Sequence, residues 1–174
     1  MRDASVIASC RDLNLIKVIA VCLLITTPSL LASDPFFEPP AIGRFVLASS
    51  VGRELLKQCS RSTPRDVSGC WQPSTNAIDE LEQGLTVYLQ SREKAGQEIP
   101  PKGHSYHRQY VGFTRGSERF IYGNFYPASA ATGFWKDKEP KLAFGVCDGG
   151  TLFWGIVYRV STKTFEEIRF NGFA

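Results

Sequence analysis

The sequence predicts an α+β fold: one main helix packed on an antiparallel sheet of about five strands, preceded by an N-terminal signal peptide. Three observations lead there. Apolar residues recur at helical spacing through residues 74–92, strand-like alternation fills 106–126 and 142–170, and the helical segments come before the strands. The expected organisation is a leader over 1–32, a proline-rich tether over 33–41 and a single domain over 42–174.

The leader follows from Lys17, a short apolar run at 18–25, Pro28 and the small residue Ala32, in that order. A charged start, an apolar middle and a small-residue exit make a secretory signal peptide. The run is shorter than the ~20 residues a membrane-crossing helix needs, so no stable span is expected after cleavage. Pro35, Pro39 and Pro40 then forbid helix and favour an extended tether.

Residues 42–59 fit a helix ending near Gln58 only loosely, because Gly43, Gly52 and Ser49-Ser50 weaken it. Cys59 to Trp71 reads as a loop rich in Ser, Thr and Arg. Ser74 is an N-cap, and Ile78, Leu81, Leu85, Tyr88 and Leu89 form one stripe, so the main helix covers about 75–92. Pro100-Pro101 bars its restart.

Residues 106–113 and 119–126 form a hairpin around Thr114 to Glu118. Phe120, Tyr122, Asn124 and Tyr126 face one way; Ile121, Gly123 and Phe125 face the other. A small-residue and charged connection over 128–140 follows. The last third should be a three-stranded meander over 142–147, 152–160 and 165–170. Leu152, Trp154, Ile156, Tyr158 and Val160 share an apolar face, while Phe153, Gly155, Val157 and Arg159 make a mixed, partly wet one. Phe165 falls out of phase, which implies a bulge. Asn171-Gly172 closes the sheet or offers a polar contact.

At 174 residues and 43% hydrophobic content, the chain can bury a core of its own. Its formal charge is +3; a leader with three basic groups against two acidic ones contributes +1, leaving +2. So small and scattered a charge gives no electrostatic pull on nucleic acid.

Cys10 and Cys22 lie in the leader, leaving Cys59, Cys70 and Cys147 to an oxidising compartment. A Cys59–Cys70 bridge would contribute about 3 kcal/mol and a Cys59–Cys147 bridge about 4–5 kcal/mol on the chain-entropy account. Both pairings remain open on the residues alone. Cys59-Ser60-Arg61, Trp71-Gln72-Pro73-Ser74, Leu81-Glu82, Cys147-Asp148-Gly149-Gly150 and Phe170-Asn171-Gly172 resemble a group of short exported bacterial proteins of unknown function, over about residues 53–173. That resemblance implies the Cys59–Cys147 pairing and an exported location, and it brings no catalytic residue. Cys70 stands where the group has an aromatic residue.

Few residues carry chemistry. Glu82 falls beside the apolar stripe, where a carboxylate needs a partner such as Arg108 or His107. His104 and His107 are three apart, which sends them to opposite strand faces and disfavours a metal site. Asp148-Gly149-Gly150 lacks the lysine of a phosphate loop and reads as a turn. No cofactor is expected. The leading functional expectation is an exported, periplasmic or secreted, non-catalytic binding or inhibitor-like module. Its contacts would be Arg108, Tyr122, Trp154, Tyr158 and Asn171, and its partner a protein or glycan of the cell envelope. The alternative is a small envelope hydrolase using Glu82 or Asp148 with His107.

Overall fold

A computed structural model describes residues 43–131, 142–166 and 168–173. These belong to one compact unit, Ser33–Ala174. The expected signal peptide and tether lie outside the described residues, as does most of the 128–140 connection with its Trp135.

The fold is α+β, with a mixed sheet. Strands β3 (Tyr106–Arg115) and β4 (Glu118–Pro127) form the long central hairpin, closed by Gly116-Ser117 with Gly116 at φ +57°. A positive φ at that position suits glycine. Strand β5 (Trp154–Arg159) lies antiparallel to β4. Both edges are shared. β1 (Arg44–Val46) runs parallel along the first half of β3, and β2 (Gly69–Trp71) runs antiparallel along its second half. On the far edge, β6 (Thr164–Phe165) and β7 (Arg169–Phe170) each pair with two residues of β5.

The main helix α2 spans Thr75–Lys94. Ser74 caps it by accepting from the Ala77 amide at 3.3 Å. It ends where Gly96 turns left-handed at φ +66°. Its buried stripe, Ile78, Leu81, Leu85 and Leu89, packs on Tyr106, Tyr110, Ile121, Phe125, Trp154, Ile156 and Tyr158. Phe125 stacks on Trp154 with centroids 3.7 Å apart, so this side of the sheet is filled by rings.

Two expectations need correction and one is refined. Residues 43–58 split into β1, which pairs with β3, and a short helix α1 (Ser49–Leu55), whose Gly52 lies close on the sheet: a Cβ there would overlap the Val111 side chain. The second sheet face is mixed, as expected, with Arg159 partly exposed on it, but much of it is covered. Leu47, Leu55 and Leu56 cover Val111, Phe113, Phe120, Tyr122 and Val157 on it. Finally, residues 142–147 form no strand. They cross this second face, held by side chains: Gln109 Nε2 donates to the Leu142 carbonyl at 2.7 Å, and Asn124 Nδ2 to the Phe144 carbonyl at 2.9 Å. The Phe144 amide donates to Gln109 Oε1 at 2.9 Å. Amide side chains thus satisfy backbone groups that a strand ladder would otherwise pair.

Cys59 and Cys147 form a disulfide across a separation of 88 residues, and Cys70 is a free, partly buried thiol. The bridge ties the loop after α1 to the segment crossing the sheet. Replacing both partners (Cys59→Ser with Cys147→Ser) should cost about 4–5 kcal/mol in urea unfolding. An unchanged midpoint would mean that the bridge constrains nothing in the unfolded chain.

Candidate functional site

Polar side chains gather at two places, one on each side of the sheet. On the α2 side, Glu82 accepts from Arg108 at 2.9 Å and from the Tyr110 hydroxyl at 2.8 Å. Arg44 reaches Glu82 at 3.4 Å and Asp79 at 2.5 Å. Glu82 therefore sits beside the apolar stripe and pairs with Arg108. Burial, reinforced by the negative Glu82, pushes the Tyr110 hydroxyl well above the ordinary tyrosine range. This carboxylate is fully engaged and fastens α2 to β1 and β3.

His107 belongs to the opposite face, since it alternates with Arg108 along β3. Its ring lies 5.5 Å from Tyr126 and 6.0 Å from Phe45 between centroids. His104 precedes the strand and is exposed, 6.4 Å from the Tyr106 ring. Asp148 is exposed just after the disulfide. The sheet therefore separates Glu82 from His107. Among the described residues, no three His, Cys, Asp or Glu side chains gather closely enough to hold a metal ion.

Trp154 and Tyr158 are also not where a contact surface needs them. Both are fully buried under α2, where ring area stabilises the core. Arg108 is tied to Glu82 beneath the same helix. The docking role expected for these three residues gives way to packing.

Tyr122 and Asn171 meet on the second face, around Arg61. The Arg61 side chain is buried, with the residue only 8% exposed. It donates through Nε to the Tyr122 hydroxyl at 3.0 Å and through its two terminal nitrogens to Asn171 Oδ1 at 2.6 Å and to Asn124 Oδ1. Asn171 in turn donates to the Val146 and Asp148 carbonyls at 2.7 and 2.9 Å. The Gly172 amide donates to Ser60 Oγ at 2.7 Å, and the Gly150 amide to the Gly172 carbonyl at 3.1 Å. The Cys-Ser-Arg, Cys-Asp-Gly-Gly and Phe-Asn-Gly motifs are thus one knot in space. Among the described residues, no carboxylate pairs with Arg61.

A cleft of about 430 Å³ opens beside this knot. The loop over 62–66 forms one wall, Arg115, Glu166 and Arg169 another, and Tyr122 with Gly155 to Val157 the floor. Gly155 keeps the floor low: a Cβ there would overlap the Tyr122 hydroxyl and stand 3.0 Å from Arg61 Nε. Arg115 bonds Glu166 at 2.8 Å and lies over the Phe113 and Phe120 rings, which fixes its direction. No known protein family, curated protein or solved structure matches the chain.

Sequence reasoning missed the cleft. Its arginines lie in a loop, at a hairpin end and on an edge strand, and only folding brings them together. Arg61 carried one signal, its place between Cys59 and the loop in a short motif.

Burial raises the hydroxyl pKa of four of the six tyrosines: Tyr106 to about 12, and Tyr110, Tyr122 and Tyr158 above the usual value. The folded chain then holds protons that the unfolded chain releases at about pH 10. Stability should be fully present below that pH and fall as pH rises toward 12. Absorbance at 295 nm should show these four ionising only as alkaline unfolding proceeds; six tyrosines titrating together near pH 10 in a folded chain would contradict the burial argument.

Proposed function

We propose that this chain is an exported, periplasmic or secreted, non-catalytic binding module whose contact site is the arginine-lined cleft. The observation that carries the reading is the cleft itself: about 430 Å³ of concave space, with three arginine side chains along its walls. Pockets of that size hold small ligands or single groups of larger ones. The partner is a component of the cell envelope, a protein or a glycan, presented at this opening.

Export rests on the leader pattern and agrees with a disulfide between Cys59 and Cys147, since such bonds persist in oxidising compartments. The resemblance of the Cys-Ser-Arg and Cys-Asp-Gly-Gly motifs to exported bacterial proteins points the same way. Among the described residues, no helix is long and apolar enough to cross a membrane. A hydrolase built on Glu82 or Asp148 with His107 has no support from the positions of these side chains.

Expression of the full chain with its leader tests both halves of the reading. The exported product should begin at Ser33 and carry one titratable thiol, that of Cys70. Its native mass should include a bound species that Thr63→Trp, which fills the cleft from the loop side, removes. Full-length chain kept inside the cell with reduced thiols would refute export. The same bound species on wild type and Thr63→Trp, or none on either, would refute the cleft as the contact site.

A further inference from the structure

Building on that reading, we infer that the cleft takes a ligand bearing an oxyanion, a carboxylate or a phosphate, and that Arg61 supplies the buried positive charge behind it. Among the described residues, the charged lining is Arg65, Arg115 and Arg169 against Asp66 and Glu166, three basic side chains to two acidic ones. Glu166 is occupied by Arg115. Arg61 stands immediately behind the floor and adds a further cation whose bonds all go to neutral oxygens. A buried cation compensated only by neutral dipoles raises the local potential and favours an arriving anion.

Hydrogen-bond capacity points the same way. The Tyr122 oxygen accepts from Arg61 Nε, so its own proton must be donated elsewhere. Tyr122 is 2% exposed and lies on the cleft floor, and among the described residues its O–H has no acceptor. Burial holds the hydroxyl pKa above its ordinary value, which keeps the donor protonated. The Ser62 and Thr63 hydroxyls line the wall above it, likewise without a side-chain partner among the described residues.

Among the described residues the surplus is therefore in donors: three guanidinium groups, those of Arg115 and Arg169 with part of their capacity already engaged, a phenol and two hydroxyls line one opening. An oxyanion, with several lone pairs and no proton to place, uses such a set, and guanidinium forks match carboxylate and phosphate geometry. A neutral sugar would need strong acceptors as well as donors, and among the described residues the carboxylates of the lining are Asp66 and the already paired Glu166.

The test is a titration of the full, oxidised chain followed by amide resonances, with inorganic phosphate, succinate and glucose as separate probes. Phosphate or succinate should shift the amides of 62–66 and 155–157 saturably, and glucose should not. Response to phosphate alone identifies a phosphate ligand; response to succinate identifies a carboxylate. Arg65→Gln and Arg169→Gln, both at exposed positions, should each weaken the effective anion about tenfold. Glucose shifting the same amides would overturn the oxyanion class while leaving the cleft a binding site. So would silence from both anions when the exported chain still retains a ligand that Thr63→Trp removes. Unchanged anion affinity in both arginine variants would overturn the assignment outright.

Discussion

A guanidinium withdrawn from water has to be surrounded by acceptors, and that demand organises one whole side of this molecule. Arg61 meets it with three oxygens drawn from distant parts of the chain: Tyr122 and Asn124 on β4, and Asn171 after β7. Each of these is only useful if the sheet is already in register. Conversely, an unsatisfied cation at this depth would be strongly destabilising, so misregistered arrangements are penalised. The disulfide two residues upstream holds the same loop to residue 147, and Asn171 bonds the carbonyls flanking that cysteine. Covalent bond and hydrogen bonds thus reinforce one geometry.

The two sides of the sheet divide their tasks. Under α2 the interface is apolar and ring-filled, and charged groups fasten its rim: Glu82 with Arg44 and Arg108, and Glu80 with Lys163. The other side has a leucine-covered end beneath α1 and a polar end in which side-chain amides carry the 142–147 segment. The cleft opens on this second side, beside the cation. Its floor is thin because Gly155 has no side chain, which leaves the Tyr122 hydroxyl and Arg61 close to whatever enters.

Most of the regular structure was legible in the chain. Ser74 and the 78–89 stripe located α2, and alternation located the 106–126 hairpin and the face shared by Trp154, Ile156 and Tyr158, because local periodicity suffices for long elements. What escaped was decided by tertiary contact. Residues 142–147 have the composition of a strand, yet Gln109 and Asn124 capture their backbone from the side. β1, β2, β6 and β7 have two or three residues each, too few to show a period. The aromatic wealth of β5 suggested a docking face, but alternation alone does not reveal that a helix covers it. The cleft was illegible for a similar reason: Arg65, Arg115 and Arg169 are scattered along the sequence and meet only across β5.

The coupling between Arg61 and Tyr122 tests the buried guanidinium most directly. A double-mutant cycle with Arg61→Met and Tyr122→Phe, read by urea unfolding, isolates it, because the phenol oxygen bonds nothing else among the described residues. A coupling energy above about 1 kcal/mol is the result expected of a buried charge-assisted hydrogen bond. Effects that simply add, to within about 0.3 kcal/mol, would show that the guanidinium is not held as described.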